Sequence, residues 1–185
     1  MPYPFPAADG SSPATREFND VPEMGIDPSK RYTATMETNH GTLVIALDPL
    51  AAPRTVNSFV FLARYHYYDG IVFHRIIPGF VLQGGDPTGS GSGGPGYSFA
   101  DELPPAGRYK LGSLAMANAG PDTNGSQFFV ISGPDGVRLP PLYSLFGEVV
   151  SGLDVVEKID AVGSRTGSPK EQVVIERVTV EERDA

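Results

Sequence analysis

Glycine and proline set the first limit on how this chain can fold. Glycine occurs 22 times and proline 18 times among the 185 residues, about twice their usual combined share of a globular chain. Both interrupt helices, glycine through its conformational freedom and proline through its missing N–H and its ring. The surplus therefore excludes a coiled coil or a helical bundle, and the lack of a Gly-X-Y period excludes collagen. It favours a compact β architecture with many turns, or a folded domain joined to a disordered segment.

Charge and residue usage exclude several functional classes. The 14 basic and 22 acidic residues give a net charge of −8. This negative charge argues against a nucleic-acid partner and against a membrane partner. Without cysteine there is no disulfide, thiol nucleophile or cysteine-based zinc site. No apolar run approaches the roughly 18 residues of a membrane span. The first residues, MPYPFPAADG, lack the features of a secretory signal, so we expect a cytoplasmic protein.

The chain divides into two parts of different character. Residues 1–30 are rich in proline and show no apolar period, which predicts an extended, partly ordered arm. Such an arm is either a tail without function or a segment that packs on the surface or binds a partner. Residues 31–185 carry the periodic patterns of a folded domain.

These patterns predict short strands and two helices. Helices are predicted from Pro53, with an apolar stripe at Val56, Phe59, Val60 and Ala63, and over 152–160. The strand-like runs are 32–37, 42–47, 71–76, 80–84, 113–117, 127–132, 144–150 and 173–182. A closed antiparallel barrel with two covering helices fits seven or eight such strands.

Motifs that often carry chemistry are weak in this sequence. Gly89, Gly91 and Gly94 spell G-x-G-x-x-G, but prolines flank them and no helix follows, as a dinucleotide site would require. No histidine has the spacing of a metal ligand, and we predict that His74 is a hydrogen-bonded structural residue in a strand. No serine lies in a nucleophile elbow. Covalent, metal and acid–base chemistry therefore have little support.

Arg75 is unusual because it lies inside the apolar run FHRIIPGF. It is either a core residue satisfied by buried partners or a cation presented to a ligand. A barrel would bring it close to aromatic and amide residues from other strands: Phe73, Phe80, Phe128, Phe129, Gln83, Asn118 and Gln127. One cation, several amides and an apolar wall suit an uncharged peptide ligand.

Three long blocks of the sequence resemble the cyclophilins, a family of peptidyl-prolyl cis–trans isomerases. The blocks are FHRIIPGFVLQGGDPTGSGSGGPGY (73–97), LAMANAGPDTNGSQFFVIS (114–132) and LFGEVVSGLDVVEKI (145–159). The resemblance covers about residues 31–182. It implies a mainly β fold, an eight-stranded antiparallel β-barrel capped by two α-helices. It also implies an isomerase that rotates X–Pro peptide bonds, assists protein folding and needs neither a metal nor an organic cofactor.

The resemblance also implies a role for individual residues. Arg75 matches the catalytic arginine, with Gln83 and Asn118 beside it in the catalytic set. The residues matching the apolar proline pocket are Phe80, Val81, Phe129 and Leu139. The residues matching the positions that bind the peptide or orient the arginine are Ala117, Ala119 and Gln127, with Tyr143 on the rim near the family's histidine position.

The rim departs from the pattern of many eukaryotic members. No tryptophan occurs in the chain, and Arg138 stands near the position of the family's rim tryptophan. Val81 stands where many members have Met. We therefore predict only weak binding of cyclosporin-type ligands.

The same resemblance implies which substrates the protein binds. The expected partners are X–Pro peptides and unfolded proteins, bound by a monomer. The alternative is a module that binds proline peptides with little turnover, and the retention of Arg75 favours the enzyme.

Overall fold

The computed structural model describes residues 2–185, which form eight strands and three helices. The strands are β1 (Arg31–Thr38), β2 (Gly41–Leu47), β3 (Arg75–Ile77), β4 (Val81–Gly84), β5 (Ser113–Met116), β6 (Phe128–Ile131), β7 (Leu145–Ser151) and β8 (Ile175–Arg183). The helices are α1 (Pro53–Arg64), α2 (Pro134–Val137) and α3 (Leu153–Asp160). Among the described residues no helix has the length and apolar character needed to cross a membrane.

All eight strands belong to one antiparallel sheet in the order β3-β4-β6-β5-β7-β2-β1-β8. The sheet curls so that its ends approach, and a single bridge between Val72 and Val174 joins the segments before β3 and β8. The predicted mainly β, eight-stranded architecture is confirmed. The predicted strand 71–76 is shorter than expected, because among residues 71–74 only Val72 pairs, through this bridge.

The helices differ from the prediction in number. α1 and α3 lie where the apolar stripes placed them, but α2 is an additional four-residue turn of helix. It begins at Pro134, directly after the extended Gly133. One turn is too short to produce an apolar period, so the sequence pattern did not reveal it.

α1 receives its N-terminal cap from a distant segment. Its N-cap residue, Ala52, has no side-chain hydrogen bond. The Glu102 carboxylate instead accepts hydrogen bonds from the Thr55 N–H at 2.7 Å and the Arg54 N–H at 3.2 Å. A carboxylate there satisfies free N–H groups and complements the helix dipole.

The arm packs along the outer side of α1. Residues 2–30 contain turns but no helix or strand, and Phe18 is only 3% exposed against Phe61 and Tyr65. This cover explains why every residue from Thr55 to Arg64 is buried, whereas a single apolar stripe was expected. The boundary near residue 30 stays a prediction.

The sheet has apolar residues on both faces, and this positions the site. On β6, Phe128 and Val130 belong to the main core inside the curled sheet. Phe129 and Ile131 point to the opposite face, as alternation along a strand requires. There they form a smaller cluster with Val81, Tyr109 and Ala115.

Candidate active site

A cavity of about 180 Å³ opens over the smaller cluster. Its lining combines an apolar wall with one cation and two amides. The lining residues are Arg75, Phe80, Val81, Gln83, Ala117, Asn118, Phe129, Leu139 and Tyr143. The structure therefore brings together nine of the residues selected from the sequence.

Arg75 presents a positive charge that no carboxylate compensates. Within residues 2–185 it forms no salt bridge, and its side-chain hydrogen bond goes to the neutral Gln83 Oε1 at 3.1 Å. Antiparallel pairing sets Arg75 directly opposite Gln83. The guanidinium carbon lies 5.9 Å from the centre of the Phe80 ring. Of the two interpretations of Arg75, the exposed cation beside a cavity is the one found.

A chain of amides connects Arg75 with the glycine-rich loop formed by residues 85–98. Gln83 Nε2 donates to Gln127 Oε1 at 3.2 Å, and Gln127 Nε2 donates to the carbonyl oxygens of Gly91 at 2.9 Å and Gly93 at 3.1 Å. In each of the two amides, the oxygen accepts a hydrogen bond from one neighbour and the NH₂ group donates to the next. This order fixes the Gln83 oxygen toward the guanidinium.

The loop is folded around the Asp86 carboxylate. Asp86 is 1% exposed and accepts hydrogen bonds from the N–H groups of Thr88 at 2.8 Å, Gly91 at 2.6 Å and Gly93 at 3.1 Å. Burial alone would raise the pKa of Asp86, but these bonds and the Thr88 hydroxyl outweigh it and lower the pKa to about 2. The loop is therefore held together by an ionised carboxylate.

A second and larger cavity of about 890 Å³ adjoins the first. Gln83, Ala117 and Asn118 line both cavities, whereas Ala119 and Gln127 line only the larger one. Its outer wall is the stretch 91–98 of the glycine-rich loop. An extended peptide can place one side chain in the small cavity and a neighbouring one in the larger cavity.

The rim of the small cavity is held by Tyr109, a residue that the sequence patterns did not reveal. Its hydroxyl donates to the Tyr143 carbonyl oxygen at 2.6 Å and accepts from the Tyr143 N–H at 3.1 Å. The Tyr143 ring meets Phe129 edge-on, with centroids 5.3 Å apart. Arg138 lies outside the cavity lining and pairs with Asp135 at 3.1 Å.

The prediction that His74 is hydrogen-bonded is wrong for one of its two ring nitrogens. His74 Nδ1 is buried without a hydrogen-bond partner. Burial lowers the pKa of His74, with the Arg75 charge adding to the effect and Asp86 opposing it. A neutral imidazole beside Arg75 adds no second positive charge to the site.

Gly167 supports the Arg75 side chain from behind. A Cβ at Gly167 would lie 2.9 Å from Arg75 Cγ, and the Gly167 carbonyl oxygen accepts the Ile76 N–H at 2.9 Å. We predict that Gly167→Ala lowers kcat by about tenfold or more with little change in KM, because small displacements of a catalytic group, the role expected of Arg75, are costly. Steady-state kinetics on an X–Pro peptide would measure this.

Gly107→Ala is the matched control for Gly167→Ala. Both glycines have positive φ, +91° for Gly167 and +79° for Gly107, so both variants carry similar backbone strain. A Cβ at Gly107 would meet no atom within 4 Å. Equal kcat values in the two variants would show that Gly167 does not position Arg75.

The fold and the site together define a class of protein. A curled antiparallel sheet carries, on its outer face, an apolar cavity next to an uncompensated guanidinium and a row of amides. Such a surface binds an uncharged peptide segment and can stabilise a lone pair that develops on it. The described residues contain no group of three or more His, Asp or Glu that could hold a metal ion.

Comparison with known proteins identifies the family. Residues 33–180 match the model of the cyclophilin type peptidyl-prolyl cis-trans isomerase/CLD family. The chain is 48% identical to peptidyl-prolyl cis-trans isomerase B of Streptomyces anulatus, over 84% of this chain and 99% of the relative. It is 46% identical to peptidyl-prolyl cis-trans isomerase A of Mycobacterium tuberculosis, over 87% of this chain and 98% of the relative. The chain belongs to the cyclophilin-type peptidyl-prolyl cis-trans isomerase family.

Solved structures agree with this assignment. A cyclophilin type isomerase of Cryptosporidium parvum has a TM-score of 0.76 and 30% identity, with 83% of this chain and 99% of that chain covered. A structure of the same protein in the presence of the dipeptide Ala-Pro has a TM-score of 0.75 and 32% identity, covering 82% and 99%.

Proposed function

We propose that this peptidyl-prolyl isomerase holds the proline ring of an X–Pro segment in the 180 Å³ cavity and stabilises the twisted bond with Arg75. The observation that carries the proposal is the uncompensated guanidinium at the edge of that cavity. The Cryptosporidium relative studied with Ala-Pro supports a proline-containing ligand.

The barrier to the reaction is a barrier to bond rotation, and a fixed cation that stabilises the twisted bond is sufficient to lower it. Resonance opposes rotation of the peptide bond with a barrier of about 18–20 kcal/mol. Twisting the bond ends the conjugation, so the proline nitrogen becomes pyramidal and gains a lone pair. A guanidinium beside that nitrogen stabilises the twisted form more than either planar form, which is the requirement for catalysis. No covalent bond forms or breaks.

Other residues hold the substrate while the bond turns. Phe129, Val81 and Leu139 supply the apolar surface for the ring. The backbone N–H and C=O of Asn118 have no hydrogen-bond partner within residues 2–185, while its Nδ2 donates to the Leu142 carbonyl oxygen at 3.0 Å. In this proposal the free backbone groups bind one side of the peptide, and the other side rotates.

The test is NMR exchange on a short X–Pro peptide at catalytic protein concentration. Without a catalyst the two isomers interconvert in about tens to hundreds of seconds. The proposal expects exchange cross-peaks between the cis and trans signals when the protein is added. A binding module with little turnover would shift the peptide signals without producing those cross-peaks, and this outcome would overturn the proposed catalysis. Unfolded protein clients, a cytoplasmic location and a monomeric state stay predictions.

Cyclosporin-type ligands should inhibit only weakly. The rim carries Tyr143 in the cavity lining, and the nearby Arg138 side chain is 76% exposed and turned to Asp135. A large aromatic ring with an N–H donor is therefore missing from this rim, and a cyclic peptide loses apolar contact and a hydrogen bond there. We expect inhibition in the micromolar range in the peptide assay, and a nanomolar inhibition constant would contradict this.

A further inference from the structure

Half of the outer wall of the larger cavity is glycine. Residues 91–98 line it, and four of them are Gly91, Gly93, Gly94 and Gly96. Glycine loses more conformational freedom on ordering than any other residue. A wall of this composition keeps its shape only where other parts of the molecule hold it.

The first half of this wall is held from the sheet. Gln127 binds the carbonyl oxygens of Gly91 and Gly93, and Asp86 binds their N–H groups. These bonds end at residue 93. The second half, from residue 94 onward, requires other anchors.

The arm supplies one of those anchors. The Phe18 N–H donates to the Pro95 carbonyl oxygen at 2.8 Å, and Pro95 is buried. The Gly96 backbone, with φ of +96°, approaches the Phe18 carbonyl oxygen so closely that a Cβ at Gly96 would collide with it. α1 supplies the other anchor through the Ser58 and Tyr97 hydroxyls, 2.7 Å apart.

Phe18 is itself fixed in an aromatic cluster. Its ring centroid lies 4.8 Å from that of Tyr3, 5.0 Å from Phe61 and 5.4 Å from Tyr65. The Thr15 N–H donates to the Tyr65 carbonyl oxygen at 3.0 Å. The arm thus connects α1 rigidly with Pro95 and Gly96.

From these contacts we infer that the arm is a specificity-determining part of the substrate site. By holding Pro95 and Gly96 it fixes the outer wall of the larger cavity, so a peptide side chain that enters this cavity meets an ordered surface. The family match begins at residue 33, so Phe18 lies outside the matched range. The inference rests on the proposed function, because the larger cavity receives part of the same X–Pro peptide.

The test compares Phe18→Ala with Phe5→Ala on peptides that share one X–Pro bond. Phe5 is also an aromatic residue of the arm and packs on Phe61, with centroids 5.9 Å apart, but no hydrogen bond joins it to Pro95 or Gly96. One peptide carries only alanines around the X–Pro pair, and two others carry a Trp two residues before or after the proline. The chain has no Trp, so fluorescence reports burial of the peptide Trp and gives a Kd that does not depend on turnover.

We expect Phe18→Ala to raise the KM and Kd of the Trp peptide that fills the larger cavity by about tenfold, because binding must then order the wall. Its kcat, and the KM for the alanine peptide, should stay within about twofold, and Phe18→Leu should restore most of the affinity. Faster hydrogen exchange at the backbone amide of residue 18 in Phe18→Ala than in the wild type would show that the anchor has loosened in a folded protein.

Three results would overturn the inference: no change in the Kd of either Trp peptide, an equal rise in the KM of the alanine peptide, or the same effects in Phe5→Ala. Failure of the proposed function is a different result. In that case the wild-type protein accelerates none of the peptides, while the Kd values still test the arm.

Discussion

Arg75→Ala should lower kcat/KM for an X–Pro peptide by about 10²–10³-fold, the usual effect of removing one group that stabilises charge in a transition state. The loss should fall mainly on kcat, because in the proposed mechanism the lone pair that Arg75 meets exists only in the twisted form. The fold should be retained, since Arg75 is exposed and its side chain bonds only to Gln83. Exchange NMR measures the rate, and urea unfolding measures the stability.

Two further arginine variants separate charge from geometry. Arg75→Lys keeps the charge but loses the planar fork that faces Gln83 and the substrate together, so most of the loss should remain. Arg177→Ala is the matched control, because Arg177 lies on β8 and pairs with Glu37 at 2.8 Å, outside both cavities. If Arg75→Ala were as active as Arg177→Ala, the cation would have no role in the rotation.

The sequence predicted those parts of the fold that depend on local alternation. On β8, Val178 and Val180 are buried while Arg177 and Thr179 are exposed, as the period of two requires. The sequence also selected Arg75, because a charge inside an apolar run is conspicuous. The neighbouring strand-like segments and the resemblance then supplied its companions, and the structure places nine of the eleven named residues around one small cavity and the other two, Ala119 and Gln127, in the cavity beside it.

Contacts between segments far apart in the chain were not predictable in this way. Glu102 caps α1 across 47 residues, and Tyr109 fixes Tyr143 across 34 residues. No local period marks such a pair, because each partner looks like an ordinary loop residue. The contact of Phe18 with Pro95 is of the same kind, so the arm gave no sign in the sequence that it reaches a cavity wall.

The site depends on having two apolar faces on a single sheet. Most antiparallel sheets bury one face and expose the other to water. Here β4, β5 and β6 bury the main core on one face and display Val81, Ala115 and Phe129 on the other. The main core provides stability, and the second face is available for a proline ring.

Phe128 and Phe129 provide the direct test of this division, since they are adjacent residues on opposite faces of β6. Phe128 is fully buried among Phe59, Tyr68 and Phe73, with centroids 5.5–6.0 Å away. We expect Phe128→Ala to lower the free energy of unfolding by about 3–5 kcal/mol, because it leaves a cavity in a core that relaxes only in part. Urea unfolding at neutral pH would measure this loss.

We expect Phe129→Ala to reduce activity more than stability, the reverse of what we expect for Phe128→Ala. Phe129 is 4% exposed, but it belongs to the smaller cluster beneath the open cavity. Water can fill the space left there, so the loss of stability should be smaller than for Phe128→Ala. In the proposed binding mode, however, the proline ring loses its main apolar contact, and kcat/KM should fall by about tenfold or more. If Phe128→Ala, assayed below its unfolding transition, lost as much activity as Phe129→Ala, the two faces of the sheet would not divide stability from catalysis.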